Sequence, residues 1–195
     1  MIANYLEYES LDAVPQPPRT PKQEDWSVDW ADLDALAALP RDLRAPRRLT
    51  EADYRERLED GKRCLGFFAA GELLAYNWVD VDEISFPVCR SALREDEAYL
   101  FNMVTSPALR GQGIAPFLRR KTYRRLAAEG RVHLYSVTAR RNRSSIRFKA
   151  KLGVRHLALY IEFRLFKKRL YNRCVKRYPD PPRLPLLTCT GASSA

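Results

Sequence analysis

Eight uncharged residues, Ala98 to Thr105, run from Glu97 into a proline, a glycine-rich turn and a long basic helix. This run limits the fold more than any other part of the chain. EAYLFNMVT (97–105) is apolar on both faces, as a strand covered on both sides of a sheet must be. Pro107 ends it, the helical stretch runs from Gly113 to Glu129, and Gly130 closes that helix. A doubly buried strand that leaves through a helix predicts an α/β layer arrangement.

The flanking text agrees. Thr50 and Asp53 predict a capped helix over 51–60, stopped by Gly61. CLGFFA (64–69) and ELLAYNWV (72–79), joined by Ala70-Gly71, predict a hairpin. Residues 80–96 read mostly as loop, with a short strand near Ile84 to Val88. VHLYSVT (132–138) is a strand, Arg143 to Leu152 a short helix, and the alternation from Leu157 to Leu165 another strand. Residues 1–46 are acidic, proline-rich and weakly periodic, an N-terminal extension that reads either as a flexible arm or as carrying a short docked helix around Trp26 to Leu39. A domain over 47–166 and a basic C-terminal extension over 167–195 complete the division. Residues 166, 170, 174 and 178 would line one face of a terminal helix.

Charge is divided sharply. Arg110 to Arg177 holds 21 lysines and arginines against two acids, whereas the rest holds 13 basic and 22 acidic groups. Such a positive field attracts an anion: a phosphorylated cofactor, nucleic acid, an acidic protein or a membrane surface. No signal peptide or apolar membrane span is expected from the text. Four scattered cysteines have no metal-ligand spacing and read as reduced thiols, which makes the cytoplasm the expected compartment. No metal site is expected.

The chemistry concentrates in Arg110-Gly111-Gln112-Gly113-Ile114-Ala115. Between a strand and a helix, glycines let the backbone approach a ligand, and the first helical N–H groups favour an anion such as a diphosphate. The turn lacks the Lys-Ser/Thr ending of a nucleotide-binding P-loop and the three-glycine dinucleotide spacing. A plain tight turn remains the alternative on these residues alone.

This segment resembles the GNAT pattern Gln/Arg-x-x-Gly-x-Gly/Ala. Asn142, Ser145, Phe148 and Lys151-Leu152-Gly153 resemble that family's second signature. The resemblance implies a GNAT-like mixed central sheet with splayed central strands flanked by helices. Acyl-CoA, acetyl-CoA in the simplest case, would lie between strands 97–105 and 132–138 as co-substrate. Val104 and Thr105 would meet its pantetheine arm, Arg110, Gly111, Gln112, Gly113, Ile114 and Ala115 its diphosphate, and Asn142 the cofactor arm. Arg119, Arg120, Lys121, Arg124 and Arg125 supply candidates for its 3′-phosphate.

The implied activity is N-acyl transfer, N-acetyl transfer foremost, to a primary amine. An amine in water is mostly protonated and needs a proton acceptor. Glu97 is the first candidate base, ahead of Asp96 and Glu83. The family's proton-donating tyrosine is replaced by Lys149, which could protonate a thiolate or bind phosphate but reads first as an exposed helix lysine, and its final phenylalanine by Val154. His133 and His156 read as structural. The basic C-terminal segment reads first as a helix packed on the body; it could instead receive an acyl carrier protein, as in an N-acyl amino acid synthase, or meet an anionic membrane surface. A non-catalytic RNA-binding or adaptor module is the rival class, although no RNA motif is present.

Overall fold

A computed structural model describes residues 1–12, 25–40, 43–44, 49–86, 89–165 and 168–179. Among the described residues, ten strands and four α-helices follow in the order β1 (Ile2–Glu9), β2 (Trp26–Trp30), α1 (Leu33–Ala37), α2 (Glu51–Glu59), β3 (Arg63–Ala69), β4 (Glu72–Asp80), β5 (Glu83–Phe86), β6 (Cys89–Ala92), β7 (Glu97–Thr105), α3 (Ile114–Ala128), β8 (His133–Ala139), α4 (Arg143–Ala150), β9 (Arg155–Leu165) and β10 (Lys168–Arg177). Eight strands form one mixed sheet in the order β10-β9-β1-β8-β7-β4-β3-β2. Only β7 and β8 pair in parallel there, joined by the crossover helix α3. The expected mixed α/β sheet flanked by helices is present.

Local sequence explains the elements near the centre. The Thr50 side chain accepts from the Asp53 N–H, and Asp53 Oδ2 accepts from the Thr50 N–H, a reciprocal cap that starts α2. Ala70 and Gly71, with φ of 50° and 78°, turn β3 into β4. On one sheet face, Tyr123 and Leu126 of α3 pack with Val79, Leu100 and Leu134. On the other, Tyr54 of α2 stacks on Trp78, with ring centroids 6.3 Å apart.

The edges of the sequence reading need correction. Residues 2–9, assigned to an extension, form β1, an interior strand paired with both β8 and β9. Trp26 and Trp30 lie in strand β2 rather than a helix, and the helix begins only at Leu33, capped by Asp32. The stretch 80–96, read mostly as loop, contains the antiparallel pair β5–β6, in register from Glu83↔Ala92 to Phe86↔Cys89. Residues 168–177 form β10 on β9 instead of the amphipathic helix. Residues 13–24 and 180–195, which the expected extension and tail also include, lie outside the described residues.

Candidate active site

Pairing between β7 and β8 lasts only from Glu97↔His133 to Leu100↔Ser136. Beyond it, β7 follows β4 as far as Ala75↔Thr105, while β8 follows β1 as far as Asn4↔Ala139. The sheet therefore opens into a V. A bulge at Asn102 (φ 45°) helps to open it: β7 advances three residues, Phe101 to Val104, while β4 covers two, Trp78 to Tyr76.

A cavity of about 790 Å³ occupies the V, between Phe101 to Val104 on one side and Val137 to Ala139 on the other. Asn142, Ser145, Phe148 and Lys149 line it from α4, and Arg57, Lys62, Asp80, Ser85 and Phe86 from the opposite sheet face. Val104 and Asn142, both named from the sequence as cofactor contacts, line the cavity. Asn142 also caps α4, its Oδ1 accepting from the Ser145 N–H at 3.2 Å. Thr105 and residues 110–115 lie outside the cavity lining, at the continuation of β7.

The glycine-rich turn has free donors. The N–H groups of Arg110 and Gln112 bond to Pro107 and Leu109 carbonyls, whereas those of Gly111, Gly113, Ile114 and Ala115 have no partner among the described residues. Gly111 and Gly113 hold φ of 80° and 84°, which a side chain rarely adopts, and a Cβ on either would meet nothing within 4 Å. The turn is therefore open on its outer side. Unpaired amides at the first turn of a 15-residue helix favour an anion.

Beneath the V lies a buried ionic cluster that the sequence reading missed. Glu9 Oε2 and Oε1 accept from Arg119 Nε and Nη2 at 2.7 and 2.8 Å, and Tyr123 and Ser136 hydroxyls also donate to this carboxylate. Lys149 Nζ donates to Glu7 Oε2 at 2.6 Å and to Ser136 Oγ and Thr138 Oγ1 at 2.7 Å. Lys149 is thus buried, not an exposed helix lysine. Arg119 is likewise buried, with its Nη1 donating to Asn77. Burial tends to raise the Glu9 carboxyl, but the charges of Arg119 and Lys149 outweigh it and hold the group well below the usual carboxylate range. Glu7 is lowered too, with burial opposed by His156, Lys149 and Thr138. Two adjacent same-face glutamates in a strand were the available signal.

Glu97 does not line the cavity. Its carboxylate accepts from Tyr135 Oη at 3.0 Å and from the Arg94 N–H at 3.0 Å. Asp96 and Glu83 do not line it either, and Asp80 is the carboxylate among the described residues that does. Asp80 Oδ1 accepts from the Asp82 and Glu83 N–H groups at 2.9 and 3.0 Å. Of the cations proposed for a phosphate, Arg125 is paired with Asp29, while Arg120 keeps a buried Nε and Nη1 without a partner among the described residues. His133 bonds to the Tyr8 hydroxyl and His156 stacks on Tyr5, in keeping with structural roles.

The family model described as Acetyltransferase (GNAT) family matches residues 23–154. The chain belongs to the GNAT acetyltransferase family. A GNAT-family acetyltransferase from Colwellia psychrerythraea superposes with a TM-score of 0.57 at 18% identity, covering 80% of this chain and 53% of that one. An N-acetyltransferase from Staphylococcus aureus gives 0.55 at 16% identity, over 78% of this chain and 100% of the other. AAC(6')-Iy, in complex with the bisubstrate analogue CoA-S-monomethyl-acetylneamine, gives 0.52 at 18% identity, over 67% and 90%. Against five solved structures, the Colwellia protein included, the chain spans 48–62% of their length. No curated protein matches the chain. At these identities the structures establish the shared GNAT fold, and the splayed strands of this GNAT chain follow from its own pairing.

Proposed function

We propose that this protein moves an acyl group, acetyl in the simplest case, from acyl-CoA directly to a primary amine. The observation that carries the reading is the set of four unpartnered amides at Gly111, Gly113, Ile114 and Ala115, placed at the end of a strand that has left its neighbour. In this reading they hold the diphosphate, Arg120 supplies donors to a phosphate, and the arm enters the V along Val104 and Thr105, with Asn142 beside it.

Direct transfer needs a neutral amine next to the thioester. The carbonyl oxygen gains charge as the amine adds, and main-chain N–H groups near the β7 bulge are the donors proposed to meet it. A carboxylate must take the ammonium proton. Asp80 suits this role better than Glu97, since Asp80 lines the cavity while Glu97 is engaged behind Tyr135. Lys149, standing where the family resemblance implies a tyrosine, has three hydrogen bonds to Glu7, Ser136 and Thr138. Its proposed part is a fixed positive charge beneath the departing thiolate rather than a freely donated proton.

Calorimetric titration with acetyl-CoA, paired with a free-thiol assay in the presence of amines, tests the reading. Micromolar binding and amine-dependent thiol release support it. No binding of acetyl-CoA, with steeply salt-dependent binding of RNA, would replace it by the nucleic-acid module.

A further inference from the structure

Resting on that reading, we propose that the amine acceptor carries an anionic group, and that Arg57 binds it. Arg57 lies on α2 and lines the cavity from the sheet face opposite α3. Its Cζ stands 5.0 Å from the Trp78 ring centroid and 5.5 Å from that of Phe101, so the guanidinium lies over a cross-strand aromatic pair. No carboxylate among the described residues comes within ion-pair distance of it. With its amide oxygen turned toward α2, Asn102 accepts from both terminal nitrogens at 3.1 Å, which fixes the fork on one side.

Asp53, one turn earlier on α2, acts on Arg57 only through its field, and a half-buried guanidinium with no carboxylate in direct contact is completed by an anionic ligand. The diphosphate does not compete for this position, because its proposed amides lie at the start of α3, on the other sheet face. The other cavity cations already have carboxylate partners. Arg119 and Lys149 are matched by Glu9 and Glu7, and Lys62 by Asp60 and Asp80, which leaves Arg57 as the cavity cation with no carboxylate within 4.0 Å among the described residues. Lys62 Nζ is 3.2 Å from Asp60 and 3.9 Å from Asp80.

The spacing fits one small molecule. Trp78↔Phe101 and Asp80↔Tyr99 are alternate pairs on the same face, roughly 6.5–7 Å apart along the strands. A ligand lying along this face presents its anion to Arg57 and its ammonium to Asp80, whose Oδ2 accepts no hydrogen bond among the described residues. The acceptor class is therefore a short amine bearing a carboxylate or phosphate.

The test uses the full chain, acetyl-CoA and amines of matched length: glycine, 3-aminopropanoate, 4-aminobutanoate and 2-aminoethyl phosphate against ethylamine, propylamine and butylamine. At least one anionic amine should exceed its neutral counterpart in kcat/KM by about tenfold or more. The carboxylate and phosphate arms show which anion is used. Arg57→Gln should raise KM for that amine about tenfold and erase the preference, with acetyl-CoA affinity unchanged, and Arg57→Lys should retain part of it. Acetyl-CoA binding with neutral amines used equally well, or a preference that survives Arg57→Gln, overturns this proposal alone. Failure to bind acetyl-CoA overturns the acyltransferase reading and this proposal with it.

Discussion

Lys149 Nζ lies 2.6 Å from Glu7 Oε2, so the last helix of the domain is tied to the first strand through a buried ion pair. With Arg119 and Glu9 it makes a charge-balanced cluster below the cavity. Buried ions are costly unless each has a partner, and here hydroxyls of Ser136, Thr138 and Tyr123 complete the coordination.

Removing one partner should therefore unfold more than it disarms. Lys149→Met leaves Glu7 buried without its cation and is expected to cost about 3–5 kcal/mol. Lys149→Tyr, although it installs the residue the family resemblance implies, should be destabilising as well. Urea denaturation followed by tryptophan fluorescence gives both values. A stable, fully active Lys149→Met protein would contradict this account of the cluster.

The same carboxylates set an acid limit. Glu7 and Glu9 are held below the ordinary carboxylate value of 4.5 in the folded chain. Below that value the unfolded chain binds protons that the folded chain still excludes, so protonation favours unfolding. Their contribution is fully present above about pH 4.5 and is lost as pH falls through the folded values. Urea midpoints measured from pH 7 down to pH 3 should drop steeply below 4.5. Glu9→Gln should lower the plateau and flatten that slope.

The glycine turn separates folding from binding. Gly113→Ala forces an alanine to φ 84°, at a cost of about 1 kcal/mol, while its Cβ meets no protein atom. The domain should fold, yet acetyl-CoA affinity should fall by about tenfold or more, because the amides at 113–115 would be displaced from their anion. Calorimetry on the variant reads this directly. Unchanged affinity would remove the turn from the binding site.

How far the sequence carried depends on where each signal lies. The β3–β4 hairpin, β7, the turn and α4 rest on local chemistry: positive-φ glycines, caps and apolar runs. These were legible. β1 was not, since Glu7 and Glu9 on one strand face look solvent-directed until Arg119 and Lys149, more than 100 residues away, supply their charge. In β10 the apolar residues at 170, 171, 174 and 175 suit a helix in isolation, and pairing with β9 decides otherwise. Asp80 shows the same limit at the site. It ends a legible strand, but only the cross-strand register with Tyr99 and the packing of α2 bring it to the cavity.

That placement yields a contest between two carboxylates. Asp80→Asn keeps an acceptor for the Asp82 and Glu83 amides, so the β4–β5 turn should hold while the proton acceptor is lost. The proposed chemistry then predicts a fall in kcat/KM of about 10²–10⁴-fold. The loss should shrink at high pH, where more of the amine arrives already neutral. Glu97→Gln can still accept from the Tyr135 hydroxyl and should cost far less activity. A pH–rate profile of both variants against the parent distinguishes them. If Glu97→Gln shows the large, pH-sensitive loss instead, the proton leaves through Tyr135, and Asp80 serves only to hold the turn.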